Sequence, residues 1–292
     1  MGVSQRRAVT QAADIDADLA HYWREGFAVI RRFFDPHEIA AIGAATDQVY
    51  AEGVGHGRCF RHGNLFYNVA REHAGGEPLV RMVQWPSYHQ PLLNAVRLDL
   101  RFAELLGSLI GSNLKQIINQ VHWKAPGSLG DFAWHQDSRF RRPASAYRNL
   151  GTAYVQTGLA IDPHTRESGC MRLIPRSHLR GALDLDSSKL VMGTAMSDDA
   201  LEAVGLRSDD AVDLLLNPGD LALWNPYLVH GSGKNVSNHK RRLYINGYVR
   251  AADCDRGEWA FRGGRPVRFG PRPVLVHYEQ LHERPGPHYP EV

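Results

Sequence analysis

The chain has few cysteines and no long apolar run. Three cysteines, Cys59, Cys170 and Cys254, lie far apart in 292 residues. This spacing excludes a disulfide framework and a zinc-finger site, and we expect a reducing, cytoplasmic location. Since no apolar stretch reaches the roughly 20 residues that a membrane helix needs, we expect no membrane partner. The N-terminal residues carry arginines without an apolar block after them, so we also expect no signal peptide.

The chain has no strong excess of either charge. The formal net charge is +3, and the arginines are scattered rather than arranged along one helix, so a nucleic-acid partner is not expected. A sandwich or barrel of this length commonly forms one domain. We therefore predict a single domain over residues 1–292, with a helical N-terminal part at about 14–112, a β core at about 113–250 and an irregular tail at 251–292.

Local signals in the N-terminal part mostly indicate helices. Asp35, Pro36 and Glu38 form the pattern of a capping box with proline at the first helical position. Apolar residues at helical spacing follow in several segments. Helices are predicted at residues 16–25, from Pro36 to an end between Gly53 and Gly57, at 92–110 and around 198–204; a short strand is predicted at 27–30 and a loop at 58–78.

From about residue 114 the apolar period changes to two, which is typical of strands. Turn signals with glycine, proline and asparagine separate short strand candidates. Many short strands divided by turns favour a mainly β sandwich or jelly roll with flanking helices over an alternating βαβ fold. The predicted strands are 114–124, 152–161, 170–174, 211–216, 220–224 and 242–249.

His135, Asp137, His230 and Arg241 form the candidate functional set. Two imidazoles and one carboxylate can hold one face of a ferrous ion and leave the other face open. An arginine beyond the second histidine can hold a carboxylate that also sits on the metal. Each residue alone has a simpler explanation, because a histidine, an aspartate and an arginine at strand ends are commonly solvated surface groups. The joint occurrence in this order favours a metal site.

Four stretches carry a resemblance to a known family. They are Trp134–Asp137, Glu167–His178, Pro218–Asp220 and the run from His230 to Arg241. Together they resemble the phytanoyl-CoA dioxygenase family of iron(II)/2-oxoglutarate oxygenases. The second stretch departs from the family pattern at Arg176, where glycine is usual.

The resemblance implies a double-stranded β-helix of the cupin-like, jelly-roll type and cofactors Fe(II), 2-oxoglutarate and O2. His135, Asp137 and His230 would be the iron ligands. Arg241 would hold the distal carboxylate of 2-oxoglutarate and Ser232 would donate to the same group. Thr157 falls near a family tryptophan of the cosubstrate pocket, and Arg81 near a family lysine that helps to bind the cosubstrate. His178 is expected to be structural.

The implied activity is hydroxylation of an unactivated C–H bond of a small molecule, with release of succinate and CO2. Because related halogenases lack the carboxylate, Asp137 favours hydroxylation over halogenation. Other functions stay open on the residues alone: a zinc hydrolase, a cupin-type isomerase, or a non-catalytic binding protein of the same fold.

Three variable segments are candidates for the substrate pocket, at residues 58–75, 139–150 and 182–210. The first two are rich in arginine and aromatic residues. One interpretation is a pocket for an anionic small molecule, in which a guanidinium binds a carboxylate or phosphate. The other is a basic, solvated rim. The arginines are Arg58, Arg61, Arg71, Arg139, Arg141, Arg142 and Arg148.

Overall fold

The fold is built from two antiparallel sheets with helices against the larger one. The structure, a computed structural model, describes residues 15–71, 75–127, 131–185, 190–274 and 284–290. None of the helices in these ranges is both long and apolar enough to cross a membrane.

The helices are α1 (residues 15–25), α2 (Pro36–His56), α3 (Pro91–Arg97), α4 (Leu100–Ile110), α5 (Leu150–Ala153) and α6 (Asp198–Glu202). The strands are β1 (Phe27–Ile30), β2 (Phe60–His62), β3 (Leu65–Ala70), β4 (Leu79–Gln84), β5 (Leu114–Lys124), β6 (Phe132–His135), β7 (Tyr154–Ala160), β8 (Met171–Leu173), β9 (Val212–Leu214), β10 (Leu221–Trp224), β11 (His230–Ser232), β12 (Arg241–Arg250), β13 (Glu258–Arg262) and β14 (Arg265–Pro266).

The larger sheet has the order β1-β10-β7-β12-β5-β4-β3-β2, and β13 with β14 joins it beside β5. The smaller sheet has the order β6-β11-β8-β9. Apolar side chains from both sheets form one cluster, which includes Ile118, Leu173, Trp224 and Leu243. The sheets therefore pack face to face, as in a jelly roll.

Helix α2 begins and ends where its sequence signals predict. The Asp35 carboxylate accepts from the Glu38 N–H at 2.8 Å, and Glu38 accepts from the Asp35 N–H at 2.8 Å. These two bonds satisfy donors that a helix start leaves open. Gly57 ends the helix with a φ of 67°, a conformation that glycine adopts without strain. The buried side chains of α2 pack against one face of the larger sheet. The smaller sheet packs against the other face of the larger sheet.

One prediction for the N-terminal part was wrong and another was incomplete. Residues 58–78 are not a loop, because β2 and β3 form a hairpin there. The region 92–110 is two helices, since Asp99 caps α4 by accepting from the Arg101 N–H at 2.9 Å. The hairpin was missed because the apolar pattern of β2 and β3 is weak. These strands are stabilised by the pairing of β3 with β4 and of β4 with β5.

The C-terminal tail is also more regular than predicted. Strand β13 lies beside β5 and pairs Glu258 with Gln116. Residues 284–290 return to the hairpin, where His288 pairs with Arg61. The prediction of an irregular tail is therefore wrong for β13, which takes its register from a strand far away in sequence.

Arg176 adopts the left-handed conformation, with a φ of 64°. This explains why glycine is usual in the resembling motif, since a residue with a Cβ is strained there. Here the guanidinium binds Glu25 with two bonds of 3.0 Å, and the Arg176 N–H donates to the Glu25 carbonyl. His178 bonds the Trp23 carbonyl at 3.1 Å, which agrees with its predicted structural role.

Candidate metal centre and cosubstrate pocket

The two candidate histidines meet at the edge of the smaller sheet. His135 is the last residue of β6 and His230 the first of β11, and the two are register partners across this antiparallel pair. Asp137 does not continue the strand but begins a 3-10 turn over Asp137–Phe140. The turn brings the carboxylate back to the imidazoles.

The three side chains converge closely enough to share one ion. One ligand atom from each lies within 4.8 Å of the other two. Nε2 of His135 is 3.8 Å from Oδ1 of Asp137, and Nε2 of His230 is 3.9 Å from Oδ2. All three residues are buried. Atoms that each lie about 2 Å from one metal are at most about 4 Å apart, so both separations are compatible with a shared ion.

Neighbouring groups orient all three side chains. Nδ1 of His135 bonds the Ala133 carbonyl at 2.8 Å, and Nδ1 of His230 bonds the Leu228 carbonyl at 2.9 Å. Each Nδ1 therefore carries the proton and each Nε2 offers a lone pair. Trp224 donates from Nε1 to Oδ2 of Asp137 at 2.8 Å. Such outer contacts are typical of metal ligands.

The protonation states also suit metal binding. Burial lowers the pKa of His135 to about 3, so its imidazole is neutral near pH 7. Burial alone raises the pKa of Asp137, but His230 and His135 outweigh this effect and bring that pKa below its usual value. Two imidazole nitrogens and one carboxylate form the donor set that ferrous iron accepts.

A cavity of about 330 Å³ opens beside the three residues. It lies between the two sheets and is bounded by apolar side chains and three glutamines. This volume is near the lower end of the roughly 300–1,000 Å³ range of small-molecule sites. Its lining includes Met82, Ile118, Phe140, Met171, Gln84, Gln120 and Gln156.

Arg241 lies at one end of the cavity beside a second buried cation. Arg241 and Lys124 are register partners on β12 and β5 and are 2% and 1% exposed. Lys124 donates to Oγ of Ser232 at 2.8 Å, and Nη1 of Arg241 donates to the Gly169 carbonyl. Nε of Arg241 is buried with no hydrogen-bond partner. Two adjacent buried cations and an unused donor fit a carboxylate that both can bind.

Gly169 makes this arrangement possible. Its φ is 67°, and a Cβ there would lie 2.5 Å from the carbonyl oxygens of Gly233 and Lys234. No side chain fits that space. The close approach holds the Gly169 carbonyl between Lys124 and Arg241.

Thr157 is not brought to the cavity. Its Oγ1 donates to the Asn246 carbonyl at 2.9 Å within the larger sheet, and the side chain is fully buried. The cavity is lined instead by the preceding residue, Gln156. Because successive side chains of a strand point to opposite faces, a shift of one residue decides which of the two reaches the site.

The arginines of the predicted pocket segments divide into two groups. Arg61 and Arg141 line the cavity. Arg148 is exposed and pairs with Asp255, and Arg58 lies over the Tyr289 ring. Arg81 is half-buried near Gly193 and is outside the cavity lining. The basic segments therefore contribute both rim and pocket residues.

Sequence reasoning missed Lys124 and Trp224. Lys124 ends a strand of period two before Pro126, where a lysine is ordinarily a solvated end residue. Trp224 ends an apolar strand, a position typical of a core residue. One weak signal was available. The alternation of side chains along β5 places Lys124 on the buried face of that strand.

The family model for phytanoyl-CoA dioxygenase (PhyH) matches residues 22–243, more than half of the chain. The chain belongs to the phytanoyl-CoA dioxygenase family. The resemblance seen in the sequence motifs is thereby confirmed. The chain is an iron(II)- and 2-oxoglutarate-dependent dioxygenase of the double-stranded β-helix fold. The predicted fold class, enzyme class and cofactors are confirmed.

Two curated dioxygenases match this chain along most of their length. A probable alpha-ketoglutarate-dependent hypophosphite dioxygenase of Stutzerimonas stutzeri is 25% identical over 80% of this chain and 77% of the relative. A 2-aminoethylphosphonate dioxygenase of the uncultured bacterium HF130_AEPn_1 is 23% identical over 80% of this chain and 81% of the relative.

Solved structures share the fold. The epimerase SnoN, solved with Fe3+, alpha ketoglutarate and nogalamycin RO, has a TM-score of 0.62 at 19% identity and covers 90% of this chain and 99% of SnoN. EctD from S. alaskensis, solved with 2-oxoglutarate and 5-hydroxyectoine, has a TM-score of 0.62 at 17% identity and covers 89% of this chain and 86% of EctD.

Proposed function

We propose that His135, Asp137 and His230 bind the ferrous ion of this dioxygenase. The single observation that carries the proposal is the convergence of their ligand atoms within 4.8 Å, with both Nδ1 atoms bonded to backbone carbonyls. The iron, when bound, supplies the activation of O2 that organic side chains cannot perform. The protein positions the reactants and excludes water.

Arg241, Lys124 and Ser232 are proposed to hold the distal carboxylate of 2-oxoglutarate. The fork of a guanidinium matches the two oxygens of a carboxylate, and the ammonium of Lys124 adds a second charge. Lys124 also donates to Ser232 at 2.8 Å, which leaves the Ser232 hydroxyl proton free to point at the carboxylate. A jelly-roll hydrolase or isomerase would have no use for this buried pair of cations.

The proposed reaction is oxidation of a small anionic molecule, with hydroxylation of a C–H bond as the outcome. The cavity of about 330 Å³ has to accept 2-oxoglutarate as well as the substrate, which favours a small molecule over a coenzyme A thioester. Of the compounds named for two relatives, hypophosphite is a small anion and 2-aminoethylphosphonate is a small zwitterion with an anionic phosphonate. SnoN is named an epimerase, so product analysis has to follow stereochemistry as well as added oxygen.

We also propose a cytoplasmic location. Cys59, Cys170 and Cys254 are all buried free thiols. Thiols persist in this form in a reducing compartment.

The proposal is tested by following succinate from the purified protein with Fe(II), 2-oxoglutarate and O2. Slow succinate release is expected without substrate, and a panel of amino acids, organic acids and phosphonates is then screened for faster release. Products are examined for added oxygen by mass spectrometry.

Three controls make the result specific. A chelator should abolish succinate release and lower the Tm, because a metal that binds the folded state stabilises it. Zn(II) should restore the Tm without restoring turnover. His135→Ala should lose both the metal-induced rise in Tm and the succinate. Iron bound by the wild type with no succinate under any of these conditions would count against the proposed function.

A further inference from the structure

One buried amide of the cavity has no partner for its N–H groups. Gln156 lies on β7, is 4% exposed and lines the cavity beside the candidate metal ligands. Its amide oxygen accepts from the Tyr154 hydroxyl, and among the described residues no group accepts from its Nε2. An amide nitrogen can donate two hydrogen bonds, and a buried donor without an acceptor costs free energy. Gln156 therefore offers an unused donor to a ligand of the cavity.

Tyr154 and Gly247 hold the amide in this orientation. Burial raises the pKa of Tyr154, so its hydroxyl keeps the proton at neutral pH and donates to the oxygen of Gln156. Gly247 on β12 is the register partner of Gln156, and a Cβ there would lie 2.6 Å from that amide oxygen and 2.9 Å from Cβ of Ile118. The glycine therefore gives the amide room to lie over β12. Since Tyr154 engages the oxygen, the group left for a ligand is the nitrogen.

Gln156 lies near the metal centre and away from the proposed site of the distal carboxylate. It is the register partner of Trp224 on β10, which donates to Oδ2 of Asp137 at 2.8 Å. Register partners of antiparallel strands have Cα atoms about 5 Å apart. On β12 the partner of Gln156 is Gly247, six residues beyond Arg241, which corresponds to about 20 Å of extended strand. The amide therefore belongs to the substrate part of the cavity.

The other two glutamines that line the cavity have less need of a ligand. Gln84 and Gln120 are register partners on β4 and β5 and are half-buried. Oε1 of Gln120 accepts from Nε2 of His122 at 3.0 Å, and Gln84 makes no hydrogen bond within the described part of the chain. Because β12 separates β5 from β7, both amides are farther than Gln156 from Trp224. Water can reach these half-exposed amides, whereas the more deeply buried Gln156 is better placed for a ligand.

We propose that the amide nitrogen of Gln156 binds an oxygen atom of the substrate and that Gln156 is a specificity-determining residue of this dioxygenase. The ligand class is a molecule with a hydrogen-bond-accepting oxygen whose carbon part packs against the apolar walls, which include Ile118 and Phe140. A site built to donate to such an oxygen rejects an analogue that lacks it, because the buried donor is then unpaired. The proposal rests on the proposed function, because it assumes that the metal and 2-oxoglutarate occupy the positions given above.

The test uses two probes of one shape, with and without the acceptor. The protein is loaded with Mn(II) and 2-oxoglutarate without oxygen. Cyclopentanone and methylenecyclopentane are then titrated, and the paramagnetic relaxation of their protons is followed by NMR, with cyclopentanecarboxylate as the anionic probe. Gln156→Leu should weaken cyclopentanone binding about 3- to 10-fold, as loss of one hydrogen bond predicts. The same change should leave methylenecyclopentane binding equal or stronger.

Two further variants make the result specific. Gln84→Leu is the matched control, because it removes a cavity amide that is farther from Trp224, and it should change the cyclopentanone affinity less than about twofold. Gln156→Met removes the donor but keeps an unbranched side chain, so it should match Gln156→Leu if the hydrogen bond and not the shape is lost. Calorimetry with Mn(II) and 2-oxoglutarate checks that each variant is folded.

The outcomes separate this proposal from the proposed function. Equal cyclopentanone and cyclopentanecarboxylate affinities in the wild type and both Gln156 variants, or an equal loss for probes with and without the oxygen, overturn the inference. So does a wild type that binds neither oxygen-bearing probe, or a larger loss in Gln84→Leu. A loss confined to cyclopentanecarboxylate supports the contact and identifies the oxygen as that of an oxyanion. Wild-type protein that binds Mn(II) but no 2-oxoglutarate loses the proposed function itself.

Discussion

Lys124 and Arg241 are register partners on adjacent strands, and both donate to the carbonyl oxygen of Gly169. Burial, with the neighbouring charge of Arg241, lowers the pKa of Lys124 to about 6, and burial lowers the pKa of Arg241 to about 10. Protonating Lys124 beside the buried Arg241 is therefore costly as long as no anion is bound. Such a pair is expected where an anionic ligand completes the site.

Arg241→Ala and Arg242→Ala should change different properties, although the residues are neighbours. The first should weaken 2-oxoglutarate binding, and the second should lower the stability of the fold. Arg241→Ala should weaken 2-oxoglutarate binding about 10- to 100-fold, because it removes a charge-assisted contact. Metal affinity should change little. Calorimetry with Mn(II) and 2-oxoglutarate measures both. Equal loss of both affinities would show that Arg241 is misassigned or that the variant is misfolded.

Arg242 is the matched control on the opposite face of β12. It binds Asp162 through Nε and Nη2 at 2.8 Å and the Gly43 carbonyl of α2 at 2.8 Å. Its loss leaves the half-buried carboxylate of Asp162 without its cation, which typically costs about 1–3 kcal/mol. Arg242→Ala should therefore lower the Tm by several degrees and leave the 2-oxoglutarate affinity of the folded protein intact.

Lys124→Met should reduce the stabilisation that 2-oxoglutarate gives. The change keeps the length of the side chain and removes its charge. Without ligand the Tm should not fall, because the repulsion between Lys124 and Arg241 is lost together with the bonds to Ser232 and Gly233. The rise in Tm on adding 2-oxoglutarate to the Mn(II) protein should shrink, as weaker binding requires. A lower ligand-free Tm with an unchanged ligand-induced rise would make Lys124 a structural residue.

Trp224→Phe should weaken metal binding without unfolding the protein. The ring is buried in the apolar cluster between the two sheets, and phenylalanine keeps most of the packing. The bond from Nε1 to Asp137, 2.8 Å long, is lost, and loss of such an outer contact typically costs about 10- to 100-fold in metal affinity. Competition with a chelating dye measures this loss. An unchanged affinity would show that Asp137 is oriented by the turn alone.

Much of the architecture followed from local patterns. The predicted bounds of β1 and β5 agree with the structure, and the capping box of α2 is formed by the predicted residues. These elements depend on hydrophobic period and on contacts within a few residues, which the sequence contains. The β2–β3 hairpin and β13 were missed because pairing with distant strands determines them.

The amino-acid sequence by itself determined the chemistry of the site: the His-x-Asp pair, the second histidine, the arginine beyond it, and the motifs that resemble one family. The tertiary structure decided which groups meet. The register of β6 with β11 joins His135 to His230, and that of β5 with β12 joins Lys124 to Arg241. It also decided that Gln156 and not Thr157 reaches the cavity. Register between distant strands arises from the packing of both sheets together, so no local pattern contains it.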